Sequence, residues 1–297
     1  MLKVKYLFVA ICLSVLVGIV IVLQGNMTEK NAQRIENHPG QIPTNTVNII
    51  TIKPNYSLAF FLKLDSQYNT NLEIFAKNLK AGDYILIDGP SSRASEILNQ
   101  AQEARSLVNT GVNVISVVGY KKINDLIETV PDLPKGIDYI MYDYEKGPGF
   151  SPEFTRDEKT SIGYFDKAKS AISQYNKNTG SDAKLFVTPP YGQLQNANWN
   201  WGLVASHMDV IDMQLQAYLK DPNLKNYTTN ILEQIKKDTP DKLVFIQLSI
   251  NPKKGALQDN LNALDSIKDV SGINAFLIYY LNYQGSDLKQ FFSLLDR

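Results

Sequence analysis

From about Asn48 to the C-terminus the chain repeats one rhythm, a short run rich in β-branched and aromatic residues followed by a longer stretch of helical periodicity. The strand-like runs are 58–64, 84–88, 112–118, 139–145, 184–188, 210–218, 243–250 and 275–282. Helical periodicity fills 71–80, 92–110, 122–130, 155–176, 228–239 and 258–268 between them, and 286–295 after the last. Strands alternating with helices predict a parallel sheet with helical crossovers. Eight such units in about 250 residues predict an α/β fold, the (β/α)₈ TIM barrel. The fifth crossover, 191–207, is the weak unit, with a long loop and a helix expected to be short or irregular.

The segment before the barrel has a different character. Residues Tyr6 to Leu23 are apolar without interruption, roughly 27 Å of helix at 1.5 Å per residue, enough to cross a bilayer. Lys3 and Lys5 precede it and no basic cluster follows at once, so the positive-inside rule keeps residues 1–5 in the cytoplasm and the rest outside. Small residues suited to signal cleavage are missing from the end of the run. A single transmembrane signal anchor over 6–24 is therefore expected, with secretion after cleavage as the alternative. Residues 25–47 are polar with a Pro39-Gly40 turn signal and read as a flexible stalk, leaving 48–297 for the barrel. The one cysteine, Cys12, lies in the apolar run, so the exported part has no disulfide and must be held by its core. Net charge is zero and the basic residues are dispersed, which gives no electrostatic footprint for nucleic acid.

In a TIM barrel the chemistry collects at the C-terminal ends of the strands. Polar residues do gather there: Asp65, Asp88, Asp143 with Glu145, Thr188 followed by Tyr191, then Gln214, Gln216 and Tyr218, then Gln247, Ser249 and Asn251, and finally Tyr280 and Asn282. The opposite ends supply almost nothing polar on an inward face apart from Asp212. Asp143 and Glu145 are two residues apart at the end of an apolar strand, so an extended backbone would put them on one face with Cα atoms about 7 Å apart. Both tryptophans, Trp199 and Trp201, fall in an amide-rich loop after strand five, where aromatic faces beside amides would suit a sugar ring.

Several chemistries are disfavoured. The histidines are His38, in the stalk, and His207, just before strand six, so a His-based phosphodiesterase, a zinc hydrolase and a Ser-His-Asp hydrolase lack their parts. A glycosidase with two catalytic carboxylates needs a second one about 5 Å across the cleft, yet strand seven ends in Gln247, Ser249 and Asn251. The remaining glycosidase solution uses the substrate's own 2-acetamido group as nucleophile, with one acid and one orienting carboxylate. No cofactor and no metal are expected on that reading. A carboxylate-only Mg²⁺ site of Asp88, Asp143 and Glu145 is a weaker alternative.

The run Asp138-Tyr139-Ile140-Met141-Tyr142-Asp143-Tyr144-Glu145 resembles the Asp-Gly-x-Asp-x-Asp-x-Glu signature of glycoside hydrolase family 18, the chitinases and endo-N-acetylglucosaminidases. Asp138, Asp143 and Glu145 match, whereas Tyr139 stands for the Gly and Met141 for the middle Asp. Gln216-Ala217-Tyr218 is similar to the Gln-x-Tyr strand of plant-type chitinases, and 275–280 occupies the place of the closing aromatic strand, with Tyr where Trp is usual. The family's Ser on strand three appears as Val117. The resemblance implies that Glu145 protonates the glycosidic oxygen and that Asp143 orients the acetamide and stabilises the oxazolinium. Tyr218 and Gln216 would hydrogen-bond the acetamide, with Tyr280, Asp88, Gln247, Trp199 and Trp201 completing a glycan site. Because two nearby carboxyls do not ionise independently, Glu145 is expected to stay protonated near neutral pH. The departures at Met141 and Val117 make a non-catalytic glycan-binding barrel the second reading.

Overall fold

The computed structural model describes residues 56–195, 197–250, 257–280 and 285–295. Eight parallel strands close into a barrel in sequence order. They are β1 (Leu58–Lys63), β2 (Tyr84–Gly89), β3 (Asn113–Tyr120), β4 (Tyr139–Tyr142), β5 (Lys184–Val187), β6 (Val210–Gln214), β7 (Leu243–Ser249) and β8 (Ala275–Tyr279). The helices are α1 (Tyr68–Asn78), α2 (Ala94–Leu107), α3 (Ile123–Thr129), α4 (Glu158–Thr179), α5 (Tyr191–Leu194), α6 (Trp201–Ser206), α7 (Leu224–Asp238), α8 (Leu257–Ile267) and α9 (Gly285–Ser293). Every strand run read from the sequence is present. The fifth crossover holds only the two short helices α5 and α6, as its irregular periodicity suggested.

Strand side chains divide by parity into two apolar sets. The inner set, including Ala59, Leu86, Val117, Phe186, Val210, Phe245 and Leu277, fills the barrel. The alternate residues, such as Phe60, Ile85, Val118, Ile140, Leu185, Ile246 and Phe276, pack against the helices. The named residues of both sets are buried, and each fully buried Leu or Phe contributes roughly 1.5–3 kcal/mol. The longest helix, α4, has both ends specified locally: the Asp157 side chain accepts from the Thr160 N–H at 2.8 Å, and Gly180 takes the left-handed conformation (φ 69°) that closes it.

The N-terminal end of the barrel is closed by a device repeated four times. An Asp or Asn immediately before each even strand accepts a backbone N–H of the odd strand preceding it. Asp83 takes Leu58 N–H, Asp138 takes Ser116 N–H and Val244 N–H goes to Asn274, each at 2.8 Å, while Leu185 N–H goes to Asp209 at 2.9 Å. These side chains satisfy donors at strand starts that would otherwise compete for water, and they fix how each pair of strands is aligned. Asp138, the first residue of the family 18-like run, is one of them. It also accepts from the Ser116 hydroxyl at 2.8 Å and pairs with Arg105 at 3.0 Å.

No described helix is long and apolar enough to cross a membrane. The anchor expected over 6–24 and the stalk over 25–47 lie outside the described residues, as do Asn251 and Asn282.

Candidate functional site

Residue phase decides what faces the mouth. In β4, Tyr139 and Met141 belong to the inner set, so Asp143 continues it, while Tyr142 and Tyr144 point to the helix layer and are fully buried. Asp143 still pairs as a strand residue, its N–H bonding to Tyr120 O at 2.8 Å. Beyond it the backbone bends, with Glu145 N–H turned back to Asp143 O at 3.2 Å. The two-residue repeat therefore stops at Asp143. Glu145 stands partly exposed at the start of the following loop, whose return is tied by Ser151 N–H to Glu145 O and by the Ser151 hydroxyl to Asp143 O.

The two outward tyrosines hold this acidic turn from behind. Tyr142 donates to Glu153 at 2.5 Å, and Glu153 also accepts Ile123 N–H. The Tyr144 hydroxyl is within 2.7 Å of the Ser161 hydroxyl, donates to Thr155 O and accepts Thr155 N–H. Burial, together with the Glu153 hydrogen bond and charge, pushes the Tyr142 phenol far up, so it keeps its proton.

On the inner face Asp143 accepts the Thr188 hydroxyl at 2.9 Å. Burial raises its carboxyl above the ordinary value, against the lowering by that hydrogen bond and by Lys121 and Lys63. Asp88, at the end of β2, is pushed up to about 6 by burial, with Lys63 opposing, Asp143 adding to the rise and Lys121 opposing. The close approach of these groups needs a glycine. A Cβ on Gly119 would lie 3.0 Å from the Met141 methyl and 3.1 Å from an Asp88 carboxylate oxygen. Gln247 and Thr188 are buried on the same inner face, and Tyr279 and Gln214 end β8 and β6 beside them.

The structure brings Asp143, Asp88 and Gln247 onto the inner face of the barrel, with Glu145 at the rim. It corrects three other assignments. Tyr280 is 6% exposed and sits in the helix layer, its ring 6.4 Å from Phe60 and 6.0 Å from Phe75, because β8 carries Ala275, Leu277 and Tyr279 inward. The aromatic that β8 presents to the mouth is Tyr279, a residue that a one-position change of phase would have found. Trp199 and Trp201, 5% and 6% exposed, are core residues rather than a sugar platform. Trp199 stacks on Tyr144 at 6.5 Å and donates to Arg156 O, which braces the loop behind Asp143.

Past Gln214 the chain leaves the strand, so Gln216 and Tyr218 no longer follow its parity. Gln216 is partly buried with an unpartnered amide oxygen. Tyr218 joins a rim cluster with Tyr191 and Tyr227, its hydroxyl donating to Gln195 at 2.9 Å. His207 is on the outer surface, 2.6 Å from Asp166. Among the described residues no three His, Cys, Asp or Glu side chains are arranged to hold a metal ion. Asp212, the inward polar exception of the sequence reading, is 0% exposed, and neither carboxylate oxygen has a hydrogen-bond partner.

No protein-family model matches the chain, and no curated protein matches it by sequence. Solved structures match its fold. The catalytic domain of a family GH18 chitinase from the fern Peteris ryukyuensis has a TM-score of 0.50 at 13% identity, over 80% of this chain and 100% of that one. A citrate lyase from Burkholderia xenovorans has the same TM-score, 0.50, at 9% identity, over 82% of this chain and 77% of that one. Equal likeness to a chitinase and a lyase establishes the shared barrel, and what the barrel does must be argued from its site. The chain is thus similar in fold to a family GH18 chitinase catalytic domain, as an eight-stranded parallel (β/α)₈ barrel.

Proposed function

We propose that the protein is a glycoside hydrolase acting on N-acetylated β-linked glycans by substrate assistance. The observation that carries this reading is the Asp143–Glu145 turn at the end of β4. Asp143 is held on the inner face by Thr188, and Glu145 follows at the open rim. Strand β7 supplies Gln247 and Ser249 and no carboxylate, so among the described residues this strand offers no protein nucleophile across the cleft. In the proposed reaction the acetamide oxygen attacks C1 as Glu145 gives its proton to the leaving oxygen. Asp143 accepts the acetamide N–H, holds it in line and stabilises the positive oxazolinium. Glu145 then removes a proton from the water that opens that ring.

We also place the barrel outside the cytoplasm, carried by a membrane anchor at 6–24, on the strength of the apolar run and its flanking lysines. The Glu145→Gln variant should lower hydrolysis of an N-acetylglucosamine oligomer by at least about 10²-fold and leave its binding intact. Wild-type protein without turnover on a broad panel of such glycans would refute the hydrolase. A second reading, a glycan-binding barrel without turnover, is favoured by Met141, whose methyl reaches toward Gly119 inside the barrel where a carboxylate would otherwise stand behind Asp143. Glycan-dependent thermal stabilisation with no product on that same panel would select it.

A further inference from the structure

Asp212 is a carboxyl group in the wrong place for an apolar barrel. It belongs to the inner parity of β6, two residues after Val210 and beside Phe245 of β7. Its side chain is wholly buried and both oxygens lack a partner. An isolated ionised carboxylate is strongly disfavoured in such surroundings, whereas a neutral carboxyl carries an O–H that seeks an acceptor.

The strand register identifies the acceptor. Tyr142 is level with Val187, and Val187 is level with Ile211. One residue further along each strand, Asp143, Thr188 and Asp212 form a row across the inner faces of β4, β5 and β6. Thr188 already spends its single hydroxyl proton on Asp143, and it is 3% exposed. Its oxygen retains lone pairs, and the side chain next to it in the row is Asp212.

We propose that Asp212 is a protonated positioning residue whose O–H is donated to the Thr188 hydroxyl, which in turn donates to Asp143, so that a buried relay holds the Asp143 carboxylate ionised and fixed in direction. Closing the relay takes a rotation of the Asp212 side chain toward Thr188. Burial, and secondarily the charge of Asp143, raise the Asp212 carboxyl well above its ordinary value, which keeps the proton on the β6 side. The charged groups acting on this row are Asp143 from β4, Asp88 from β2, and Lys63 and Lys121 at the mouth. The lysines act on Asp143 and Asp88, and the β7 neighbour of Asp212 is Phe245. The catalytic consequence rests on the reading of Asp143 as the orienting carboxylate, while the relay itself can be measured without substrate.

The test is a carboxyl ¹³C NMR titration of the aspartates in wild-type protein and in the Asp212→Asn and Asp212→Leu variants. The wild type should show one aspartate, absent from both variants, that stays protonated through neutral pH. The Asp143 midpoint should rise by about one pH unit in Asp212→Leu, which removes the donor, and stay near the wild-type value in Asp212→Asn, which keeps one. An Asp212 that titrates in the ordinary carboxylate range would overturn the proposal, as would an Asp143 midpoint unmoved in Asp212→Leu. If Asp212→Leu does not fold, the wild-type and Asp212→Asn titrations still decide whether Asp212 is protonated. With a turned-over glycan, Asp212→Leu should lower kcat with KM unchanged and move the acidic limb of the rate profile up with the Asp143 midpoint. A relay present in a protein without turnover would leave this inference standing and remove the hydrolase reading.

Discussion

At the N-terminal end of the barrel, Asp83, Asp138 and Asp209 each accept the backbone N–H of an adjacent strand; on its inner face, the carboxylates of Asp88, Asp143 and Asp212 share one side-chain hydrogen bond among them, donated by Thr188 to Asp143. The residue type is the same and the surroundings are reversed. At the closed end, donors come to the carboxylates, which serve as connectors. On the inner face burial dominates, and all three carboxyls are pushed above their ordinary values. A structural carboxylate is recognised by the donors it satisfies, and a candidate reactive one by desolvation that no donor set offsets.

The comparison can be broken most readily at the closed end. Asp138→Ala strands the Ser116 N–H and hydroxyl and frees Arg105, and should cost about 2–4 kcal/mol in urea unfolding. The activity of the remaining folded protein should be unchanged. A large loss of kcat at full stability would show that this carboxylate belongs to the site after all. At the mouth the sign is opposite. Asp88 rises from 3.8 to about 6 on folding, so its burial costs nothing below the unfolded value and becomes a growing penalty as pH climbs through about 6. Asp88→Asn should therefore be more stable than wild type above pH 6, by about 1–2 kcal/mol given its partial exposure, and equal to it below about pH 4. Thermal melts across that range check this, and a constant offset at every pH would exclude it. The smallest effect is expected at Tyr280, whose buried hydroxyl has no partner. Tyr280→Phe should change stability by under about 1 kcal/mol, in the stabilising direction, and leave glycan affinity unaltered in calorimetry.

Each signal in the sequence reaches as far as the physics on which it depends. Eight strands and their helices were legible because each run is short, apolar and bounded, which needs no knowledge of side-chain direction. Asp143 and Asp88 were found because they end such runs. Tyr280 was misplaced because 275–280 is apolar on both faces, so alternation gives no phase, and only pairing of β8 with its neighbours reveals that Ala275 and Leu277 face inward. Trp199 and Trp201 have chemistry that suits sugars, yet burying Trp199 against Tyr144 and Phe165, with Trp201 packed on Trp199, removes far more apolar surface from water than a rim position would. Asp212 was visible as an inward polar residue, but its lack of a partner is a property of the packed interior.

The side-chain brackets at the closed end divide the barrel in a particular way. They join β1 to β2, β3 to β4, β5 to β6 and β7 to β8, and none spans the turn between α4 and β5. Each quarter of the barrel carries its own alignment device. A chain reopened at residues 180–183 would keep all four brackets within its two halves, so strand alignment at the closed end is built in two-strand modules.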